Sequence, residues 1–206
     1  MDIKTLAVQI MALKTKADMA GKLGNTQLRN DLLEQMRQLA DQAMTSTNDT
    51  SRFVLMSTVF SMLVQAYIDS DLKKATNYAF DYLYKASDLA KYEDSEQAIT
   101  MLMGAIMSVL NCLLKEFAET HDSKHIEILY EIADMFKAVL DKIIALNPSG
   151  MAALRGQNTL QQLRQGNLLG KSNKAFQDIQ YNVIDDMKAR YGEDGDDEGF
   201  DQLFRP

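Results

Sequence analysis

The chain has 206 residues, 46% hydrophobic and 25% charged, and a formal net charge of −7, which is typical of a globular protein with room for a sizeable core. Its single cysteine, Cys112, excludes a disulfide framework and a cysteine metal cluster within one chain. Because it has two prolines, ten glycines and no sustained two-residue alternation of apolar and polar side chains, the sequence predicts an all-α fold.

The N-terminal residues spread charges through an amphipathic pattern. They lack the basic start, apolar middle and cleavage site of a signal peptide. We therefore expect a cytoplasmic protein, or a virion or effector protein made in the cytoplasm.

The segment from about residue 2 to residue 45 is predicted to form a helical hairpin. In its first helix, expected to end near Gly21, apolar residues recur three and four positions apart, as in helices that pack lengthwise; they are Ile3, Leu6, Ile10, Leu13, Ala17 and Ala20. Asn25 or Thr26 can cap the second helix, whose apolar positions are Leu28, Leu32, Met36, Leu39 and Ala43. The seam could close on the core or on a second copy of the protein, and the second possibility predicts a homo-oligomer.

Two uncharged runs predict the centre of the core. The run 98–114 is apolar on every side of a helix, so other helices or lipid must surround it. It is shorter than the about 20 residues that a bilayer requires, so we favour a central core helix and expect no membrane span. The run 53–68 is its natural partner. With hairpins at about 51–92 and 95–146, residues 1–146 are predicted to form a multi-helix bundle or a short α-solenoid of helical hairpins.

Polar residues between these runs predict where helices begin and end. Ser70 or Asp71 can cap the fourth helix, and Asp94 with Gln97 can form a capping box for the fifth. Asp122 can cap the sixth helix, and the segment 147–150 is expected to stop it.

Residues 147–191 are predicted to form a flexible Gln- and Gly-rich arm that ends in an amphipathic helix. No Asp or Glu occurs between Lys142 and Gln177, so the bases there could contact a polyanion; the candidates are Arg155, Arg164, Lys171 and Lys174. A helix is expected from about Met151 to Gln165, frayed at Gly156.

Residues 192–206 are predicted to form a disordered acidic tail with a partner-binding motif. Six acids and one base give the tail a charge of −5. Phe200, Leu203 and Phe204 stand at i, i+3 and i+4, so a short helix would present all three to one groove. The preceding acids, which include Asp196, Asp197 and Glu198, would steer the tail to a basic protein partner. Two alternatives are that the acid-free segment of the same chain attracts the tail and that the tail only keeps the protein soluble.

Other residue patterns do not support catalysis or cofactor binding. His121 and His125 have the spacing of two metal ligands on one helix face, but no third ligand is indicated, so we expect no metal. The segment 166–172 resembles a phosphate-binding loop, yet it has one residue too few between its glycines and no strand precedes it. No nucleophile can be paired with a base from the sequence, so we expect neither an enzyme nor a cofactor.

These observations predict a non-enzymatic helical interaction protein, such as an adaptor, a chaperone or an assembly or structural component. Its acidic C-terminal tail would recruit a protein partner or be recruited by one. The alternative is a nucleic-acid-associated accessory protein that uses the acid-free basic arm, residues 142–177.

Overall fold

A computed structural model describes residues 2–44, 50–92, 95–121 and 124–171 of the chain. These residues form seven α-helices, which confirms the prediction of an all-α fold. The helices are α1 (Ile3–Lys22), α2 (Thr26–Met44), α3 (Thr50–Tyr67), α4 (Leu72–Tyr92), α5 (Glu96–Thr120), α6 (Lys124–Leu146) and α7 (Met151–Gln165).

The helices pack in the order in which they occur in the chain. Each helix contacts the next one along the sequence, and α3 also packs against α1 and α5. The short connections favour antiparallel neighbours. The described residues therefore form a bundle of consecutive helical hairpins, with α1 and α7 at the two ends of the packing order.

Helix α5 lies at the centre of the core, as its uncharged sequence predicts. It contacts α3, α4 and α6. By length and composition it could cross a membrane, since its most apolar window has a mean hydropathy of 1.7, but 61% of that window is buried inside the protein. Burial among other helices is sufficient to account for its apolar sequence.

The seam of the first hairpin closes on the protein's own core. The buried residues of its two helices are Leu6, Ile10, Ala17, Ala20, Leu32, Leu33, Met36 and Ala40. Both helices contact α3, which packs against them. The seam on which the prediction of a homo-oligomer was based is therefore not available to a second copy, and the homo-oligomer stays a prediction without that support.

Side chains cap two helices at the predicted residues. Asn25 Oδ1 accepts a hydrogen bond from the backbone N–H of Leu28 at 3.1 Å, at the start of α2. Asp71 Oδ1 accepts one from the backbone N–H of Lys74 at 3.0 Å, at the start of α4. The proposed cap of α6, Asp122, lies outside the described residues.

The predicted capping box of Asp94 and Gln97 is wrong. Helix α5 begins at Glu96, and its N-cap is Ser95, whose side chain accepts a hydrogen bond from the backbone N–H of Ala98 at 3.1 Å. Serine and aspartate are about equally favourable N-caps, so propensity alone does not choose between two adjacent candidates.

Helix α7 has the predicted bounds, but Gly156 does not fray it. Gly156 is buried, and a Cβ atom built on it would lie 2.4 Å from Leu140 Cδ1 and 3.2 Å from Met103 Sδ. The missing side chain therefore allows α7 to approach α6 and α5 closely. The prediction of fraying is wrong because tertiary packing offsets the cost of a glycine inside a helix.

The predicted boundary at residue 146 separates α7 from the core in sequence but not in space. Ala153, Leu160 and Leu163 belong to the same buried cluster as the core residues of α5 and α6. In addition, Asn147 Nδ2 donates a hydrogen bond to Glu96 Oε1 at 2.9 Å, which connects the turn after α6 to the start of α5. The first part of the predicted arm is thus a packed helix. Residues 172–191 lie outside the described residues.

Candidate interaction surfaces

The predicted partner-binding residues of the tail lie outside the described residues. They are Asp196, Asp197, Glu198, Phe200, Leu203 and Phe204. The tail therefore remains a prediction from the sequence.

The predicted polyanion-binding residues do not form one patch within the described part of the chain. Arg155 and Arg164 are both exposed, but nine positions at about 100° per residue place them on opposite sides of α7. Lys171 Nζ lies 5.4 Å from the centroid of the Tyr130 ring, and Lys174 lies outside the described residues. Binding to a polyanion through this segment stays a prediction.

The segment 166–172 does not have the geometry of a phosphate-binding loop. Gly166 is the C-cap of α7, so the segment begins at the end of a helix, whereas a phosphate-binding loop begins at the end of a strand. The backbone N–H of Gly170 already donates a hydrogen bond to Asp134 Oδ1 at 2.6 Å. Ser172 lies outside the described residues.

His121 forms the left-handed C-cap of α5, with a φ of 54°. Its ring packs edge to face against Phe117, with the two ring centroids 6.2 Å apart. The side chain of His125 falls outside the described part. Among the residues that the structure describes, no group of three His, Cys, Asp or Glu side chains could hold a metal ion.

Two clefts in the described surface are lined by polar and apolar side chains together. One, of about 180 Å³, is lined in part by Lys14 and Asp18, whose Nζ and Oδ2 atoms are 2.6 Å apart and neutralise each other. The other, of about 380 Å³, is lined largely by hydroxyl groups of α3, from Ser57, Thr58 and Ser61. Neither lining provides a nucleophile next to a base, and the prediction of a non-enzyme stays a prediction.

Cys112 has the properties of a core residue. It is fully buried in α5, and this burial raises the pKa of its thiol to about 11. Since the thiolate is the reactive form of cysteine, Cys112 is not poised as a nucleophile.

A cluster of charged side chains and a tyrosine links α2 to α4. Arg37 Nη2 lies 2.7 Å from Glu34 Oε1, and Arg37 also binds Asp41, which is 3.8 Å from Lys85 Nζ. The Tyr78 hydroxyl donates a hydrogen bond to Glu34 Oε2 at 3.3 Å. Hydrogen bonding from Arg37 lowers the pKa of Glu34, and burial raises the pKa of Tyr78. Both shifts favour the usual charge states at neutral pH, so the cluster acts as a structural link.

The outward side of α1 carries a row of exposed apolar side chains. Val8, Met11, Met19 and Leu23 are 68, 52, 55 and 84% exposed, and their spacing places them along one side of the helix. Thr15 fills the gap in this row, and its hydroxyl donates to the Met11 carbonyl at 2.9 Å. Single exposed apolar residues are ordinary, but a row of them marks a candidate interaction site. We call these five residues the α1 outer face.

Lysines surround the α1 outer face. Lys4 and Lys22 lie near its two ends and Lys16 lies beside it, and all three side chains are exposed. None of the three forms an ion pair with another described residue, whereas Lys14, further round the helix, pairs with Asp18. Asp18 also lies beside the row, but Lys14 neutralises it, so the surface is apolar along its length and carries a net positive charge at its rim.

A smaller group of exposed apolar residues lies at the other end of the bundle. Leu146 at the end of α6 and Met151 and Leu154 at the start of α7 are 52, 63 and 48% exposed. This group, the α7 outer patch, extends over little more than one helical turn of α7. The chain continues from α7 into residues that the structure does not describe.

The sequence reasoning missed the α1 outer face because it followed one apolar seam. Leu6 and Ile10 fit that seam, but Val8 and Met11 also follow helical spacing on another side of the same helix. A helix that is apolar on two sides is expected to pack against an apolar surface on each of them. This pattern could have identified the face.

Comparison with other proteins gives no information on identity. The chain matches no family model, no curated protein and no solved structure.

Proposed function

We propose that this protein is a non-enzymatic helical interaction protein, an adaptor, chaperone or assembly component that binds a protein partner. The observation that best supports this proposal is the α1 outer face, because four apolar side chains are exposed in a row on a helix whose other side is anchored in the core. Full burial of each such side chain is worth about 1.5–3 kcal/mol. A helix that is already ordered also loses little conformational freedom on binding.

The acidic tail, residues 192–206, is the second proposed contact. Its support is the sequence alone, namely a charge of −5 and the helical spacing of Phe200, Leu203 and Phe204. The alternative, a nucleic-acid-associated accessory protein using residues 142–177, gains no support from the described residues, since Arg155 and Arg164 point to opposite sides of α7.

Affinity capture with two variants of the full-length chain tests the proposal. The face variant carries Val8→Ser, Met11→Gln and Met19→Gln, and the tail variant carries Phe200→Ala, Leu203→Ala and Phe204→Ala. Because truncation of central apolar anchors dominates interface energetics, the amount of a specific partner captured from the source cells should fall about tenfold in at least one variant. Quantitative mass spectrometry of the captured proteins measures this change.

Two matched substitutions serve as controls. Gln9→Ala changes an exposed polar residue of α1, and Gln202→Ala changes a polar residue within the tail motif; both should retain the partner. If every protein captured by the wild-type chain is captured equally by the face and tail variants, neither surface binds a partner and the proposal is wrong.

A further inference from the structure

The α1 outer face requires an occupant that is both apolar and acidic. Val8 and Leu23 are among its most exposed side chains, so an apolar surface must cover the row if it is to be buried. The amino groups of Lys4, Lys16 and Lys22 lie at the rim without an acidic partner among the described residues. Carboxylates on the occupant would compensate them.

A second copy of the same helix fits this requirement poorly. In a two-fold antiparallel pair of α1 helices, each copy contacts the same patch of the other. With Met11 of one copy opposite Met19 of the other, Lys4 would lie within about one helical turn of the other copy's Lys22 at both ends of the contact. Like charges placed together disfavour association.

The C-terminal segment 193–206 of this chain combines the two required properties. It contains six acids against one base, Arg205. It also carries Phe200, Leu203 and Phe204 at a spacing that would align them on one side of a helix. This charge is opposite in sign to that of the lysines around the α1 outer face.

The same chain is long enough to bring the segment to α1. Twenty-eight residues separate Lys171, the last described residue, from Phe200, and with residues 172–191 in the predicted amphipathic helix they would still span about 55 Å. Contacts lead from α7 through α6, α5 and α3 to α1, and these four steps at about 10 Å each place α1 no more than about 40 Å from α7. The connection therefore permits contact within one molecule.

We propose that the α1 outer face binds the C-terminal segment 193–206 of the same chain. The apolar side chains of the segment pack on the apolar row, and its carboxylates lie near the surrounding lysines. This inference rests on the proposed function, because the tail covers the α1 outer face until a partner displaces it. The short motif alone binds weakly, but attachment to the same chain gives it an effective concentration on the order of millimolar.

Methionine methyl groups provide a direct test in the full-length protein. The signals of Met11 and Met19 in spectra of the protein labelled with ¹³C-methyl methionine should differ between the wild-type chain and the tail variant. The signals of Met36 and Met56, which are fully buried, should stay in place. Substituting each methionine with leucine in turn assigns the signals.

Adding the tail as a separate peptide tests whether the tail sequence itself binds the α1 outer face. A peptide with the sequence 193–206, added to the full-length tail variant, should move the Met11 and Met19 signals towards their wild-type positions. The triple substitution Lys4→Glu, Lys16→Glu and Lys22→Glu should weaken the peptide about tenfold. Lys137→Glu on α6, which makes at one site the same change of charge as each of the three α1 substitutions, should leave the affinity of the peptide unchanged.

Four results would overturn the proposal. The tail variant could leave both signals unchanged, or it could move the signal of Met151 instead, which would assign the tail to the α7 outer patch. The shifts could depend on protein concentration, which would indicate a second copy. Vesicles containing phosphatidylserine could move the Met11 and Met19 signals while the tail variant does not, which would indicate a lipid surface.

The capture experiment separates this inference from the proposed function. If Met11 and Met19 do not respond to the tail but the face or tail variant still loses a partner, the intramolecular contact is wrong and the proposed function stands. If the Met11 and Met19 signals respond to the tail and no partner is captured, the tail binds only its own chain and the proposed function is wrong.

Discussion

The two end helices, α1 and α7, are alike on the inside and different on the outside. Each places small residues where it meets the core, Ala17 and Ala20 in α1, and Ala153 and Gly156 in α7. On the outside, α1 exposes apolar residues along most of its length among lysines, whereas α7 exposes them only in its first turn. Packing thus constrains the inner face of an end helix but leaves its outer face free to specify a partner.

The largest effects that we expect come from truncating apolar side chains on the inner sides of α1 and α7. Truncation on their outer sides should change the free energy of unfolding much less. Ile10→Ala in α1 and Leu163→Ala in α7 remove buried side chains and should each cost about 2–4 kcal/mol. Val8→Ala and Leu154→Ala, on the outer faces, should change it by less than about 0.5 kcal/mol.

Urea unfolding followed by circular dichroism measures all four variants. If Val8→Ala costs as much as Ile10→Ala, Val8 is buried in the folded protein. The distinction between an inner and an outer face of α1 would then be wrong.

Replacing one glycine with alanine in each end helix should also have unequal effects on the free energy of unfolding. Gly156→Ala should lower the free energy of unfolding by about 1–2 kcal/mol, because overpacking against the fully buried Leu140 outweighs the gain in helix propensity. Gly21→Ala should change the free energy of unfolding by less than about 1 kcal/mol in either direction, because the gain in helix propensity is offset by a contact of 3.2 Å between the new Cβ and the Arg29 side chain. That side chain is held by the Ala66 carbonyl and the Tyr67 ring. Thermal unfolding of both variants checks this difference. Equal destabilisation would contradict the close contact of α7 with α6.

Acidification should weaken the contact between the charged cluster of α2 and Tyr78 of α4, which lies near the α1 end of the bundle. Helix α7 contains no acidic residue, so it has no contact of this kind. The pKa of Glu34 is lowered in the folded protein, so its contribution is present above its ordinary pKa and is lost as the pH falls through the folded value. Glu34→Gln should therefore destabilise the protein at pH 7 by less than about 1 kcal/mol, since the pair is partly exposed.

At pH 3 the effect of Glu34→Gln should be smaller than at pH 7. Urea unfolding at the two pH values measures it, with Asp31→Asn on the same helix as the control. An effect that is equal at both pH values would show that the charge of Glu34 does not stabilise the α2–α4 contact.

The sequence was informative about the helices because helical spacing and end signals are local. The positions of Leu6 and Ile10 predicted the inner side of α1, and Asn25 and Asp71 were among the predicted caps. The choice of Ser95 over Asp94 could not be predicted, because adjacent residues with similar capping propensity differ only in where the packed helix must begin.

Features that depend on contacts between distant residues were not predictable. Gly156 weakens an isolated helix, and only the position of Leu140 across the interface shows why a side chain is disfavoured there. The exposure of Met11 and Met19 likewise depends on which side of α1 meets α2 and α3. The tail residues, by contrast, were proposed as a site from their charge and spacing, and they remain a prediction.

The packing of each helix on its neighbour in the sequence has a consequence for how the chain acquires its structure. Most helix–helix contacts join consecutive helices, so few long loops must close before burial is gained. During synthesis, α1, α2 and α3 can pack together while α7 is still being made. The α1 outer face would then be exposed before the acidic tail has left the ribosome.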